Sequence, residues 1–473
     1  MPYTVVADVR LGVDRSRPIY AGASGSVWVA KNGHLTRGGD FEKRKAFVAK
    51  YALPANTFGM KATASSIYVF GSAAAPTVPS GITYQQLAHA DGVTAMTALL
   101  SAELYTGKIY AIAEYADGAV HHFYDGTRIT DWDGGTGNPT TKGRTARTLQ
   151  RKVYSAGGSL LSFSGVDTAT GWTTTTDTGA GQITMSNHLA GSETLTALAV
   201  YQAKLAVFSR YVVQIWLMFA DPADNAQDQV LENTGTRAPK SVLSFGDNDV
   251  FYLADSGIRS LRARDSTNTA GVNDIGTSID SLIGEWVADL TDDEVEAAVA
   301  VVEPYEGRFW MAIGEQIAVF SYFPSKKIAG WTWYEPGFTI SDFTTLNGRV
   351  YARSGNTIYL YGGDDGAEYG TYEVELQLPF LSSGKPGHNK QVQGFDVAAS
   401  GEWTVDLLVD PNDLDVEEHC GTLDGVTFGN AFAGHASHHT HIAPRLRNET
   451  AGYASVSNVA VYFQGADSEG GTQ

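Results

Sequence analysis

Apolar residues along this chain come in short runs, often alternating with polar ones, and most runs are closed by glycine, asparagine or aspartate. Alternation suits a pleated strand, which turns successive side chains to opposite faces, and the closing residues suit tight turns. One pattern recurs, a turn or small polar pair followed by an apolar-aromatic strand: "SSIYVFG", "GKIYAIA", "GSLLSFS", "AKLAVFS", "NDVFYLA", "GRFWMAI" and "GRVYARS". Their lead residues, Ile67, Ile109, Leu160, Leu205, Val250, Phe309 and Val350, follow one another at intervals of 41 to 59 residues. A second strand follows most copies, as in "GAVHHFYDG", "YVVQIWLM", "SGIRSLRA", "EQIAVFSY" and "NTIYLYGG". Any β-meander yields turn-strand-turn copies. Intervals near the ~40–50 residues of a four-stranded blade predict more, a propeller of six or seven blades that buries by radial stacking what one hairpin leaves exposed.

Only one stretch breaks the strand pattern. "SIDSLIGEWVADLTDDEVEAAVAVV", residues 278–302, carries Ile279, Leu282, Ile283, Trp286 and Val287 at helical spacing, and Thr291 with Glu294 fits a capping box. It predicts two helices inserted between blades. After a Gly- and Asp-rich boundary at residues 362–370, alternation returns in "YEVELQLPFL", "QVQGFDVAAS", "WTVDLLVDP" and "YASVSNVAVYF", the pattern of a sandwich with one buried face. The expected class is mainly β: a β-propeller-like body with a short helical insertion and a C-terminal β-sandwich-like region. The expected divisions are N-terminal strands and an interface segment at 1–60, the propeller at 61–363 with its insertion at 278–302, the sandwich at 371–463 and a flexible tail at 464–473.

Composition narrows the partners. The chain has 473 residues, 43% of them hydrophobic, enough for a large core. The 52 acids against 33 Lys and Arg give a net charge of -19, which argues against wrapping DNA or lying on an anionic membrane. A single cysteine, Cys420, excludes an intrachain disulfide and points to a reducing folding compartment. "MPYTVVADVRLGVD" has acids where a leader's apolar run would be, and no run reaches the ~18 residues of a membrane span, so a soluble product is expected.

Candidate chemistry is sparse. G-x-S-x-G, H-E-x-x-H and P-loop motifs are missing from the sequence. "DTATGWT" and "GWTWYEPG" match only fragments of a sialidase-type turn. The adjacent acids Asp292–Asp293 and Asp364–Asp365 sit at a helix start and a turn, where carboxylates bond backbone amides. "GDDGAEYG" is acidic and Gly-rich but lacks the EF-hand spacing. In "GHASHHTHIAPR", an extended backbone would turn His439 and His441 to one face and His438 to the other. His435, His439 and His441 are therefore the metal candidates, needing a second chain to complete the set, with exposed loop histidines as the alternative.

The densest basic stretch is "GHLTRGGDFEKRKAFV", where Arg37, Lys43, Arg44 and Lys45 are mixed with Asp40 and Glu42. Both signs at short range predict a salt-bridging surface between subunits rather than a nucleic-acid reader. At this point the wording of the chain becomes informative. "RLGVDRSR" (residues 10–17) and "GSVWVAKNGHLTRGGDFEKRKAFV" (residues 25–48) resemble the amino-terminal signature of tail nozzle proteins, also called tail tubular protein B, of short-tailed bacteriophages. "LPFLSSGKPGHNKQVQGFDVAASGEWTVDLLVDP" (residues 378–411) and "AGYASVSNVAVYF" (residues 451–463) resemble segments of the same group.

The resemblance implies a structural virion protein, not an enzyme and without a cofactor, made in the host cytoplasm and resident in the phage tail. It implies a homo-hexameric ring below the adaptor, or head-to-tail connector, with a tail fibre or needle beneath and double-stranded DNA passing through without sequence recognition. Arg37, Asp40, Glu42, Lys43, Arg44 and Lys45 would then bind a neighbouring copy or the adaptor. The alternative is a receptor-binding propeller whose Trp172, Trp331 and Trp333 stack on host glycans. A propeller hydrolase would need an acid and base pair that the motifs do not supply.

Overall fold

The computed structural model describes residues 2–130, 143–174, 179–188, 193–246, 249–263, 270–381, 389–424 and 427–465. Among them, seven sheets stand around one axis. Their innermost strands are Phe58–Ala62, Met96–Tyr105, Thr145–Leu149, Leu195–Tyr201, Leu243–Phe245, Val299–Val302 and Asp342–Leu346. Each touches the next in that order and the last touches the first, so the ring closes into a seven-bladed propeller. Blade seven takes its outermost strand, Phe47–Ala52, from the other end of the chain, paired antiparallel with Thr357–Tyr361. That exchange ties the first and last parts of the ring and covers an edge that would otherwise stay open.

Apolar wedges fill the gaps between blades, which is how stacked hairpins bury what one hairpin cannot, and the wedge between blades five and six runs on into the sandwich core. Phe70, Ile109 and Phe123 lie between blades one and two. Tyr110, Val153 and Trp172 lie between two and three. Further round, the rings of Phe208 and Tyr252 meet at 5.2 Å, and those of Phe251 and Phe309 at 4.8 Å. Ile358 of blade seven closes on Met60 and Ile67 of blade one.

The recurrent lead residues occupy the second strand in every blade but the third, where Leu160 opens the third strand, Leu160–Phe163. Blade three enters its second strand, Lys152–Gly157, through Gln150 and Arg151, both left-handed at φ 48° and 64°, the same glycine-free turn that Gln202 and Ala203 make at φ 48° and 59° in blade four. In blade three it is the next turn, at Gly158, that precedes the recurrent motif.

Two helices separate blades five and six: α1, Asp280–Ala288, and α2, Asp292–Glu296. Thr291 and Glu294 form the reciprocal capping box. Ile279, Leu282 and Ile283 are buried, while Trp286 and Val287 are half-buried against the same core. The helical expectation overran its end: Val299–Val302 is the inner strand of blade six, where alternation of burial replaces the helical stripe.

Both ends of the chain build the sandwich. One sheet pairs Lys390–Ser400 with Thr427–His439 on one side and Ser455–Gly465 on the other, and Ser455–Gly465 also pairs with Pro2–Ala7 and Phe41–Lys43. The second sheet continues blade six. Its outer strand, Ile328–Tyr334, meets Val29–Lys31 in parallel at Trp333, and the ladder runs on through Val374–Gln377, Ala443–Asn448, Glu402–Leu408 and Glu417–Asp424. Gly12 pairs with Trp331 at φ +67°, and a Cβ there would lie 2.5 Å from the Trp331 carbonyl oxygen, so only glycine fits.

These pairings correct the expected divisions. Residues up to Lys43 belong to the sandwich and Phe47–Ala62 to the propeller, so 1–60 is no separate interface segment. The last strand extends to Gly465; the remainder of the expected tail, 466–473, and residues 382–388 of the carboxy-terminal resemblance lie outside the described residues. No helix among the described residues is long and apolar enough to cross a membrane.

Candidate functional site

The basic stretch is the covalent joint between sandwich and propeller. Phe41–Lys43 is a sandwich strand, Phe47–Ala52 closes blade seven, and Arg44 lies in the short link between them. Lys43 is fully buried, its Nζ donating to Asn448 Oδ1 at 3.1 Å and to the Thr450 carbonyl at 2.6 Å, 4.8 Å from the Tyr372 ring centre. Burial, and then the charge of Arg44, push its pKa down to about 8. Arg44 is also buried, with its guanidinium 3.7 Å from the Tyr372 ring centre. It donates to Asn32 Oδ1 at 2.8 Å, to the Glu335 carbonyl at 3.0 Å and to the Lys45 carbonyl at 3.1 Å. Burial is the main cause of its lowered pKa.

Asn32 is the residue that sequence reasoning missed. It sits at φ 56°, a left-handed position that asparagine tolerates, in the "NG" turn between the two sheets. Its backbone N–H donates to the Trp333 carbonyl at 2.7 Å and its carbonyl accepts from the Arg44 N–H at 2.9 Å. Its Oδ1 accepts from Arg44 and from the Glu335 N–H, and its Nδ2 donates to the Glu373 carbonyl at 2.7 Å. Every polar group of this buried side chain is satisfied. The only signal in the sequence was an Asn-Gly pair, which marks a turn and nothing about its partners.

The remaining residues of the stretch are also used within the chain. Glu42 lies 3.6 Å from His34 Nε2, and His34 Nδ1 lies 2.8 Å from the Tyr334 hydroxyl, a set that a neutral imidazole carrying its proton on Nε2 satisfies. Burial, and then the charge of Arg308, push the His34 pKa down to about 4. Burial raises and the His34 hydrogen bond lowers the pKa of Glu42, which ends below its ordinary value. Arg37 is exposed and donates to Glu306 at 2.8 Å. Asp40 shapes the turn, its N–H bonding Thr36 Oγ1 at 3.2 Å. Lys45 is partly buried, its backbone N–H bonding the Tyr361 hydroxyl at 3.1 Å. The expectation of a basic subunit surface therefore fails at Lys43 and Arg44, whose donors are consumed inside the chain, and remains open at Arg37 and Asp40.

Of the histidine candidates, two come together and the third does not. His435 and His439 lie on one face of Thr427–His439, each 2.8 Å through Nε2 from one oxygen of Glu418 on the facing edge strand of the other sheet. Burial would raise the Glu418 pKa, but hydrogen bonds from His435, Ser437 and His439 bring it down to about 2. His441 lies beyond the strand, beside Thr440 Oγ1 at 2.9 Å and edge-on to Phe380. Among the described residues no group of three or more His, Cys, Asp or Glu side chains is placed to hold a metal ion. Glu418 is 17 residues before His435, a spacing that carries no local signal.

The tryptophans expected to stack on sugars are core residues: Trp172 is 3%, Trp331 1% and Trp333 5% exposed. Their indole N–H groups bond Ala169, Ile275 and Glu335 respectively. Cys420 is half-buried, its thiol pushed up to about 12 by burial and by the nearby Asp406 and Glu418. Asp292 and Asp364 pair with Arg237 and Lys50.

Fold and joint together define the class: a β-propeller of seven blades continuous through its sixth with a β-sandwich. No protein-family model and no curated protein matches the chain. Among solved structures it is similar to BamB from Moraxella catarrhalis, at 10% identity and a TM-score of 0.33 over 76% of this chain and 96% of that one. It is also similar to YCF48 bound to D1 peptide, at 10% identity and a TM-score of 0.39 over 67% of this chain and 98% of that one. The seven-bladed ring rests on the strand pairing itself.

Proposed function

We propose that the chain is a structural subunit of the tail nozzle of a short-tailed bacteriophage, assembling as a hexameric ring below the adaptor and performing no reaction of its own. One observation carries this reading: the two stretches that resemble nozzle proteins, at opposite ends of the chain, fold into one unit. Phe41 and Glu42 pair with Val456 and Ser455, and Val29 pairs with Gln377, beside the carboxy-terminal stretch. Segments of one family signature are expected to form one functional part. The charge supports the same reading, because a ring of subunits at -19 each repels phosphate and lets DNA slide. With Lys43 and Arg44 spent on the joint, the contact to a neighbouring copy falls to Arg37 and Asp40 and to the exposed Leu11 and Tyr20 on the same amino-terminal segment.

Antibody against the chain, imaged on phage particles in negative stain, is expected to label a ring at the tail below the connector. Label on fibres or capsid, or particles without the chain, would overturn the reading.

A further inference from the structure

The propeller axis holds a second basic region, independent of the nozzle reading. Inner strands of blades one, two, three, five, six and seven enclose a cavity of about 170 Å³. Its lining carries three cations, Lys61, Arg147 and Lys240, against two carboxylates, Glu103 and Asp342. Arg147 is ion-paired with Glu103 and donates to the Val242 carbonyl at 3.1 Å. Lys240 Nζ lies 2.9 Å from Asp342 Oδ1, and the buried Arg353 approaches the other oxygen of Asp342 at 3.5 Å. Lys61 is left over: among the described residues its ammonium has neither a hydrogen-bond acceptor nor an ion pair. Burial, and then the charge of Arg147, push its pKa down to about 8.

Local backbone places Lys61 there. Phe58 pairs with Phe70 and Lys61 with Tyr68, so one extra residue is accommodated in a bulge around Gly59. Gly59 has φ +64°, and a Cβ on it would come within 2.1 Å of Leu99 Cδ2, so the bulge requires glycine. Bulges re-aim side chains and gather beside binding sites. A partly buried, unmatched cation is costly unless an anion joins it, and neither carboxylate of the cavity is paired with Lys61.

We propose that this cavity binds a small carboxylate, its anionic end on Lys61 and its apolar body against Leu99, Val242 and Phe343. The one ammonium without a partner suits a single carboxylate, and Leu99, Val242 and Phe343 offer its carbon skeleton apolar contact that a fully hydrated phosphate would not use.

Titration calorimetry at pH 7 and low salt, with butyrate as the probe, is expected to show one saturable site of ~millimolar affinity or tighter. Butyramide, of the same shape without the charge, is expected not to bind. Lys61→Met should weaken butyrate at least ~tenfold while leaving the unliganded melting temperature unchanged or raised, and Lys61→Arg should retain binding. On the wild-type chain, binding should fade as pH rises from 7 to about 10 and Lys61 loses its proton. No saturation, equal binding of butyramide, full affinity in Lys61→Met, or phosphate binding more tightly than butyrate would each overturn the proposal.

Discussion

The joint and the propeller axis both take basic side chains out of water and treat them in opposite ways. At the joint, Lys43 and Arg44 find amide and carbonyl oxygens for their donors and lie over the Tyr372 ring. At the axis, two of three lining cations are matched by carboxylates and Lys61 is not. Burial alone therefore does not say what a charged residue is for. A satisfied cation holds two parts of a fold in register, whereas an unsatisfied one carries a cost that a ligand can relieve.

The largest break in this contrast is expected from Arg44→Ala, which takes the guanidinium's donors from the Asn32 amide oxygen and from the partly buried carbonyls of Lys45 and Glu335, and opens a void on Tyr372. A loss of about 4 kcal/mol in denaturant unfolding is expected. A loss below about 1 kcal/mol would mean that the joint does not depend on this residue.

Acid tests the same region through His34. Its imidazole titrates near ~6.5 when unfolded and at about 4 when folded. The unfolded chain thus binds the extra proton in between, and stability is full above the first value and lost as pH falls to the second. About 3 kcal/mol is at stake. His122 of blade two, pushed down to about 3 by burial, adds a slope of the same sign. Unfolding at pH 7 and 4.5 should show the loss, and His34→Gln should reduce it; an unchanged slope in that variant would remove His34 from the account.

Lys43→Met keeps the apolar stem but abandons Asn448 Oδ1 and the Thr450 carbonyl, for an expected loss of about 2 kcal/mol. Lys61→Met should move the other way, gaining about 1 kcal/mol without ligand, because nothing bonded is given up. A destabilised Lys61→Met would erase the contrast. Arg37→Ala, at an exposed pair with Glu306, should change the isolated chain by less than about 0.5 kcal/mol. Its effect, if the nozzle reading holds, lies in ring assembly, which mass measurement on the purified chain and its adaptor would report.

By itself, the sequence determined what is local. Each hairpin carries its own alternation and turn residues, so the propeller was legible, and so was the capping box at Thr291, because the four residues from Thr291 to Glu294 suffice to write it. In blade three the recurrent motif falls one strand later, at Leu160 after the turn at Gly158, because the same local pattern of turn and apolar strand recurs at more than one hairpin of a blade. The basic stretch was visible, but its use was not. Whether Lys43 and Arg44 face water or tyrosine depends on strands brought in from the far end of the chain, as the contact of Glu42 with Tyr453, 411 residues away, illustrates. The same holds for Glu418 between two histidines and for Lys61 at the axis. Only tertiary structure decided these, since desolvation and partner geometry act through space and leave no period along the chain.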